Sequence, residues 1–565
     1  MMMTASLHPA LIFFLGALAV ALLRGRAQSV ALLLVPVAGA LNLLGLAEGE
    51  VARVTLFDYT LTPLRADRLA LLFTYVFHLA TFIGVIFALN VRDTGQHVAA
   101  LLYAGSALGA VLAGDLITLF VFWELLAVTS VFLIWARRTP RAIAAGFRYL
   151  IIQVGSGLVL LAGVLVHVQQ TGSVAFEFIG LDGLASWLIF LAFGIKCAFP
   201  FLHNWLTDAY PEATPSGTVF LSAFTTKVAV YALARAFPGT ELLVYIGAAM
   251  TAFPIFFAVI ENDLRRVLSY SIINQVGFMV TGVGIGTEMA LNGSTAHVFA
   301  HIIYKALLLM STGSVLLMTG RINGSDLGGL YKTMPVTAGL CIVGAASISA
   351  FPLFSGFVSK SMVMAAALEE GYGWIWLVLL FASAGVFHHA GIKVPFFAFF
   401  AHDSGIRAKE PPLNMLVAMG LAAFLCVFIG SYPWLLYDLL PFPVEYHPFD
   451  STHVVAQMQL LFFSALAFTW LKLTGLYPPE LPSVNIDVEW FYRRAAPRLL
   501  TGLIAFGRPI DLAFRRIALV RVERAIAGVF RVHGPNGRIA RTWETGSKVL
   551  TVTLLFVIVL VLAYL

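Results

Sequence analysis

Apolar stretches close to twenty residues long recur from one end of this 565-residue sequence to the other. No other feature constrains its folding as strongly, because about twenty apolar residues span the roughly 30 Å of hydrocarbon in a bilayer. Sixteen such runs can be read between residues 8 and 565. Composition agrees: 60% of residues are hydrophobic and 11% are charged, against about 25% charged in an average soluble domain. A single soluble globule is excluded. The expected fold is an all-α polytopic membrane protein of about 16 transmembrane helices. The first run leads into no small-residue cleavage site and polar mature domain, so it is expected to be a retained helix.

Several chemistries find no support. Cys197, Cys341 and Cys426 lie far apart in apolar runs, which suits neither a disulfide framework nor an iron–sulfur or zinc site. No glycine-rich phosphate loop opens a helix after a strand. No cofactor, metal or nucleic-acid partner is expected. Asp115, Glu177, Asp182, Asp208 and Glu212 stand near run ends and are expected to be solvated or to line entrances.

The net charge of +6 is informative about topology. Arg24, Arg26, Arg92, Arg137, Arg138, Arg141, Arg265, Arg266, Arg321, Lys332, Arg407 and Lys409 fall in alternate loops, while the loops between hold few Lys or Arg. The positive-inside rule places the basic loops in the cytoplasm and the N-terminus outside.

An internal repeat is signalled by "AFPFL" at 198–202 and "AFPLF" at 350–354, 152 residues apart. That interval lays 97–236 over 249–388, five runs on five. Since five is odd, the copies must be inverted, an arrangement that places polar sites where helices are broken near the midplane. Pro200 and Pro352 each remove a helix donor and supply the breaks. The expected organisation is N-terminal helices in 1–96, a first repeat in 97–236, a second in 241–400 and further helices in 401–475. An amphipathic cytoplasmic-side segment follows in 476–548, its helices broken near Pro497, Pro509 and "HGPNG", and a last crossing in 549–565.

Ionisable residues interrupt the apolar pattern in five places. Each costs at least ~2.5 kcal/mol at a helix centre and so asks for a partner or a function. They are Glu124 in "LFVFWELLAV", Lys196 in "FGIKCAFP", Lys227 in "FTTKVAV", the row His297, His301 and Lys305 in "HVFAHIIYKALL", and Lys360 in "FVSKSMV". Four-residue spacing puts that row on one helix face. Snorkelling and packing by acid–base pairs are the structural explanations for a lone instance. One acid and several lysines around two breaks fit better with a relay in which one proton shifts the electrostatics of the whole chain.

At these residues "GIKCAFPFLHNWLTDAYPEATPSG", "HVFAHIIYKALLLMSTGSV", "ENDLRRVLSYSIINQVG" and "FPLFSGFVSK" resemble the signature segments of the proton-conducting membrane transporter family. That family holds the antiporter-like subunits of respiratory complex I and the large subunits of Mrp-type cation/proton antiporters. Residues 402–442 resemble the Mrp D subunit most, whereas the stretch after 475 resembles the lateral helix of the largest complex I antiporter-like subunit. The resemblance implies an essential glutamate at Glu124 paired with Lys196, onward transfer through Lys227, His297, His301 and Lys305, and a terminal lysine at Lys360. It implies a proton-translocating subunit of a multisubunit Na+ or K+/H+ antiporter in a bacterial plasma membrane. Its partners would be other membrane subunits, H+ and Na+ or K+, and lipid. A proton-pumping subunit of complex I or a membrane-bound hydrogenase, an ion-coupled subunit for inorganic-carbon uptake, and a structural anchor remain open.

Overall fold

The computed structural model describes residues 7–481, 485–542 and 544–565. They form two compact units, which meet in sequence at Asn485 and Ile486.

The first unit opens with α1 (Pro9–Leu22) and α2 (Gly25–Leu44), then an antiparallel hairpin of β1 (Glu50–Leu56) and β2 (Tyr59–Ala66). The hairpin departs from the all-helical expectation, and its alternating "VARVTL" and "YTLTPL" strands turn at Phe57, whose φ is 52°. Next come α3 (Arg68–Ala88), α4 (Thr94–Leu112), α5 (Leu116–Trp135), α6 (Pro140–Thr171), α7 (Gly183–Cys197), α8 (Asn204–Ala209), α9 (Pro215–Ala223) and α10 (Thr225–Ala236). A second series holds α11 (Glu241–Ile260), α12 (Leu264–Ile285), α13 (Glu288–Thr319), α14 (Pro335–Ile348), α15 (Ser355–Glu369) and α16 (Gly373–Val386). The last continues through π-helical turns at Phe387–Ile392 and Phe396–Phe400 on either side of α17 (Lys393–Pro395). Then follow α18 (Leu413–Ser431), α19 (Trp434–Tyr437) and α20 (Ser451–Leu473).

Helix ends follow local chemistry. Asp67, Asp93, Asp115, Thr139, Thr214, Asp263 and Thr287 accept backbone N–H bonds at N-caps, and Gly172, Gly286 and Gly320 close helices in the left-handed region. Among the described residues thirteen helices are long and apolar enough to span a bilayer, and Pro9–Leu22, Gly183–Cys197 and Pro335–Ile348 are shorter apolar helices. Together they occupy all the apolar runs. Lipid offers no hydrophobic drive to bring helices together, so small residues permit close approach. A Cβ on Gly277, for example, would stand 2.7 Å from the Gly247 carbonyl across the α11–α12 contact.

The repeat is visible in the element bounds. Leu116 and Leu264 open α5 and α12, Pro140 and Glu288 open α6 and α13, and both intervals are 148 residues. The connection 320–334 is four residues longer than 172–182, so the interval becomes 152 at the breaks. A single slide of 152 therefore misplaces the earlier helices by about one turn.

The basic loops gather on one face. Asn262 donates to Ser325 (3.0 Å), Lys332 pairs with Asp403 (2.7 Å), Arg138 with Asp93 (3.0 Å), and Arg265 donates to the Pro211 carbonyl (3.0 Å). The hairpin belongs to the opposite face, where Thr62 N–H donates to Asp115 (2.7 Å) and Arg235 to Asp67 (2.7 Å).

In the second unit α21 (Ala496–His533) is one 38-residue helix, about 57 Å long at 1.5 Å per residue. The expected breaks at Pro497 and Pro509 are absent. Pro497 closely follows a π-helical turn, Phe491–Ala495, that runs on into α21, so the helix is distorted there and not interrupted, and Pro509 removes one interior bond without stopping it. The helix does end at "HGPNG", before α22 (Thr545–Tyr564).

Candidate functional site

The first break is a Schellman turn built on alanine. Phe199 N–H donates to the Gly194 carbonyl (3.0 Å) and Ala198 N–H to Ile195 (3.2 Å), with Ala198 at φ 63° and Phe201 at φ 68°. The second repeats this 152 residues on: Phe351 to Ala346 (3.1 Å), Ala350 to Ser347 (3.1 Å), with Ala350 at φ 58° and Leu353 at φ 70°. Left-handed non-glycine residues are strained and persist only where the surroundings hold them. Unwinding thus begins two residues before Pro200 and Pro352, and the prolines keep the helix from resuming.

Lys196 occupies the last turn of α7 and is fully buried. Its Nζ donates to the Trp123 carbonyl at 2.5 Å and lies 4.6 Å from the centroid of the Trp123 ring. That ring is fixed by Nε1 donating to Ser156 (3.1 Å), whose hydroxyl donates to the Ala192 carbonyl (2.8 Å). Glu124, next on α5, is half-buried and packs against Gly157 of α6, where a Cβ would coincide with its Oε1. That oxygen is buried and meets no protein hydrogen-bond donor. Glu124 and Lys196 are charged neighbours, yet no ion pair closes between them.

Lys227 marks a third interruption that sequence reading missed. Residues 216–236 read as one run, but α9 stops at Ala223 and α10 starts at Thr225. Lys227 Nζ takes the freed Ser222 carbonyl (2.7 Å) and the Thr226 hydroxyl (3.1 Å), while Tyr103 Oη accepts from Thr225 N–H (3.0 Å). Thr225 and Thr226 beside a lysine were the available signal.

The row on α13 is completely buried. His297 meets Ser359 Oγ (3.0 Å) and Gln275 Oε1 (3.2 Å), which also accepts from Tyr304 Oη (2.9 Å). Lys305 donates to Ser271 Oγ (2.8 Å). His301 stands between them with both ring nitrogens unpartnered by protein, its ring 6.3 Å from His297 and 5.3 Å from Tyr304. Lys360 donates to the Ile348 carbonyl (3.1 Å) at the second break and lies 5.1 Å from the Phe278 ring centroid.

Lys196, Lys227, Lys305 and Lys360 thus share one environment: each ammonium is buried and its hydrogen bonds go to carbonyl or hydroxyl oxygens, none to a carboxylate. A neutral acceptor does not lock a proton on nitrogen as a buried carboxylate would. The seven ionisable residues form separate small clusters with no hydrogen bond joining one cluster to the next, and unpartnered polar atoms at Glu124 and His301 lie among them. Buried polar atoms without protein partners call for solvent.

Neither Asp115 nor Asp208 is solvated: Asp115 is 1% exposed, caps α5 through Thr118 N–H (2.7 Å) and lines a cavity with Arg53 and Glu177, and Asp208 is 5% exposed and binds Arg148 (2.7 and 3.0 Å). Burial follows from pairing with backbone N–H groups and guanidinium. Among the described residues no group of three or more His, Cys, Asp or Glu is gathered for a metal ion.

Residues 113–387 match the family model described as NADH:quinone oxidoreductase/Mrp antiporter, transmembrane. Over 284 residues the chain is 33% identical to the D chain of the Na+/H+ antiporter of Alkalihalophilus pseudofirmus, covering 47% of this chain and 58% of that one. It is 27% identical over 499 residues to hydrogenase-4 component B of Escherichia coli, covering 78% and 73%. The chain therefore spans less than two thirds of the antiporter protein it matches. Its fold is similar to a chain of the Mrp complex from Dietzia sp., with TM-score 0.65, 23% identity and coverage of 77% and 92%.

Proposed function

From a chain whose residues 113–387 belong to the NADH:quinone oxidoreductase/Mrp antiporter family, we propose a proton-translocating subunit of a multisubunit Na+ or K+/H+ antiporter in a bacterial plasma membrane. The observation that carries this reading is the shared environment of Lys196, Lys227, Lys305 and Lys360, buried on neutral oxygens. Each can pass between ammonium and amine without leaving a buried carboxylate unpaired. Glu124 biases Lys196 through space. Lys227 loads from the basic, cytoplasmic face, and the row His297, His301 and Lys305 carries the proton to Lys360 and the exit. The second break leaves the Ile348 carbonyl free to accept from Lys360, whereas Lys196, in the last turn before the first break, is met by the Trp123 carbonyl of α5.

The test is cation-driven proton movement in everted membrane vesicles. Glu124→Gln and Lys196→Ala should each lower it at least tenfold with the complex still assembled. Wild-type transport in either variant would remove the scheme. The longer match to hydrogenase-4 component B favours a second reading, a proton-pumping subunit of a redox complex. The subunits that copurify decide between them: small antiporter subunits on one side, flavin and iron–sulfur subunits on the other.

A further inference from the structure

A cluster at the basic face has no part in the path above. Lys393 is completely buried between two π-helical turns, Phe387–Ile392 and Phe396–Phe400, a distortion frequent at functional sites. Its Nζ pairs with Glu480 Oε1 at 2.9 Å and donates to the carbonyls of Val259 (2.6 Å), Glu261 (2.7 Å) and Ala258 (3.3 Å) at the end of α11. The Glu480 side chain is 6% exposed, and Oε2 has no protein partner. Glu261 is held by the N–H groups of Asn262 and Asp263 and by Asn485 (3.1 Å). One turn before Lys393, His389 is fully buried, and neither ring nitrogen completes a hydrogen bond. The Gly385 carbonyl lies one turn earlier on the same helix, and Lys305 and Lys393 are among the charged neighbours of the ring. Lys472 stands at the rim over Phe397 and Tyr477 (5.2 and 5.5 Å).

The repeat says why such a cluster would be needed. Counting 148 residues from Glu124 reaches Ile272, and counting 152 from Lys196 reaches Ile348, so the second repeat lacks an acid and a base at those places. Lys227 follows an interruption in the last helix of the first repeat, and Lys393 follows the π turn in the last helix of the second.

We propose that Glu480, Lys393 and His389 form a second proton-binding branch, joining the basic face to Lys305. A proton from solvent binds the free Oε2 of Glu480, giving a neutral acid beside the Lys393 ammonium. Lys393 releases its proton to His389, which becomes imidazolium, and Glu480 returns its proton to the Lys393 amine, restoring the pair. His389 then hands its proton to the amine form of Lys305. One proton has moved inward and every group in the branch has regained its starting state.

This branch rests on the proton-path reading above, and the test separates the two. In everted vesicles holding the assembled complex, Lys393→Arg keeps a cation for Glu480 and donors for the carbonyls, but a guanidinium does not release its proton. Lys393→Arg and His389→Gln should each lower cation-driven proton movement at least fivefold with assembly unchanged, and the double variant should be no slower than the slower single, as for two steps in series. Wild-type rates in either single variant overturn the branch, as do losses that multiply in the double variant. If Glu124→Gln is inactive in the same vesicles while Lys393→Arg and His389→Gln are active, the branch alone falls. If Glu124→Gln is active, the underlying path falls.

Discussion

A buried lysine is informative through what accepts its hydrogen bonds. Sequence alone reveals that Lys196 must have a partner, and pairing with Glu124 is the natural expectation. The structure gives it the Trp123 carbonyl and ring face instead, and sets Glu124 one residue along the same helix against Gly157. The glycine admits the carboxylate. Gly157→Ala should therefore displace the carboxylate end of Glu124, which is the far end of a flexible side chain, at little cost to folding. The expected outcome is an unfolding temperature within about 2 °C of wild type, since a loss near 0.5 kcal/mol moves a large domain little, and cation-driven proton movement reduced severalfold. Retained transport would mean that the seat of Glu124 is immaterial.

Breaks were legible in the sequence, though their cause was only partly so. "AFP" announces both, but the chain turns at alanine rather than at proline, and the positive φ of Ala198 and Ala350 is a backbone property no side chain advertises. Glycine adopts that conformation freely and alanine does not. Ala198→Gly should thus raise the thermal stability of the detergent-solubilised chain by about 1 kcal/mol, whereas Ala198→Val should lower it by more. A destabilised glycine variant would mean that the alanine methyl packs for more than the turn costs. The interruption at Phe224 and the hairpin escaped notice for different reasons. The first has no proline, and its freed groups are satisfied by side chains: Lys227 takes the Ser222 carbonyl, and Tyr103, 121 residues before Phe224 in sequence, takes the Thr225 N–H. The second is too short to stand out between long apolar runs. Pro509 misled the other way: proline disfavours a helix interior, but one lost hydrogen bond does not interrupt α21.

Across the molecule the two faces are held by different means. On the hairpin face Asp67 joins β2 to α3 and α10: Oδ1 accepts from Ala70 N–H (2.9 Å) and from Arg235 (2.7 Å). Burial works to raise this carboxyl, but the hydrogen bond and charge of Arg235 outweigh it and hold it below its ordinary value. The unfolded chain then binds the proton more readily than the folded one. The contribution to stability is complete above the unfolded value near pH 4 and drains away as pH falls through the folded value. Asp67→Asn keeps a cap-forming side chain and loses the charge. Because Asp67 remains 37% exposed, the difference at pH 7 should be about 0.5–1 kcal/mol in favour of wild type. Thermal unfolding of both proteins in detergent should show that gap closing between pH 4 and pH 2. A gap that stays constant over that range would place the stabilisation in packing and not in charge, and would leave the hairpin face without the electrostatic tie argued for it.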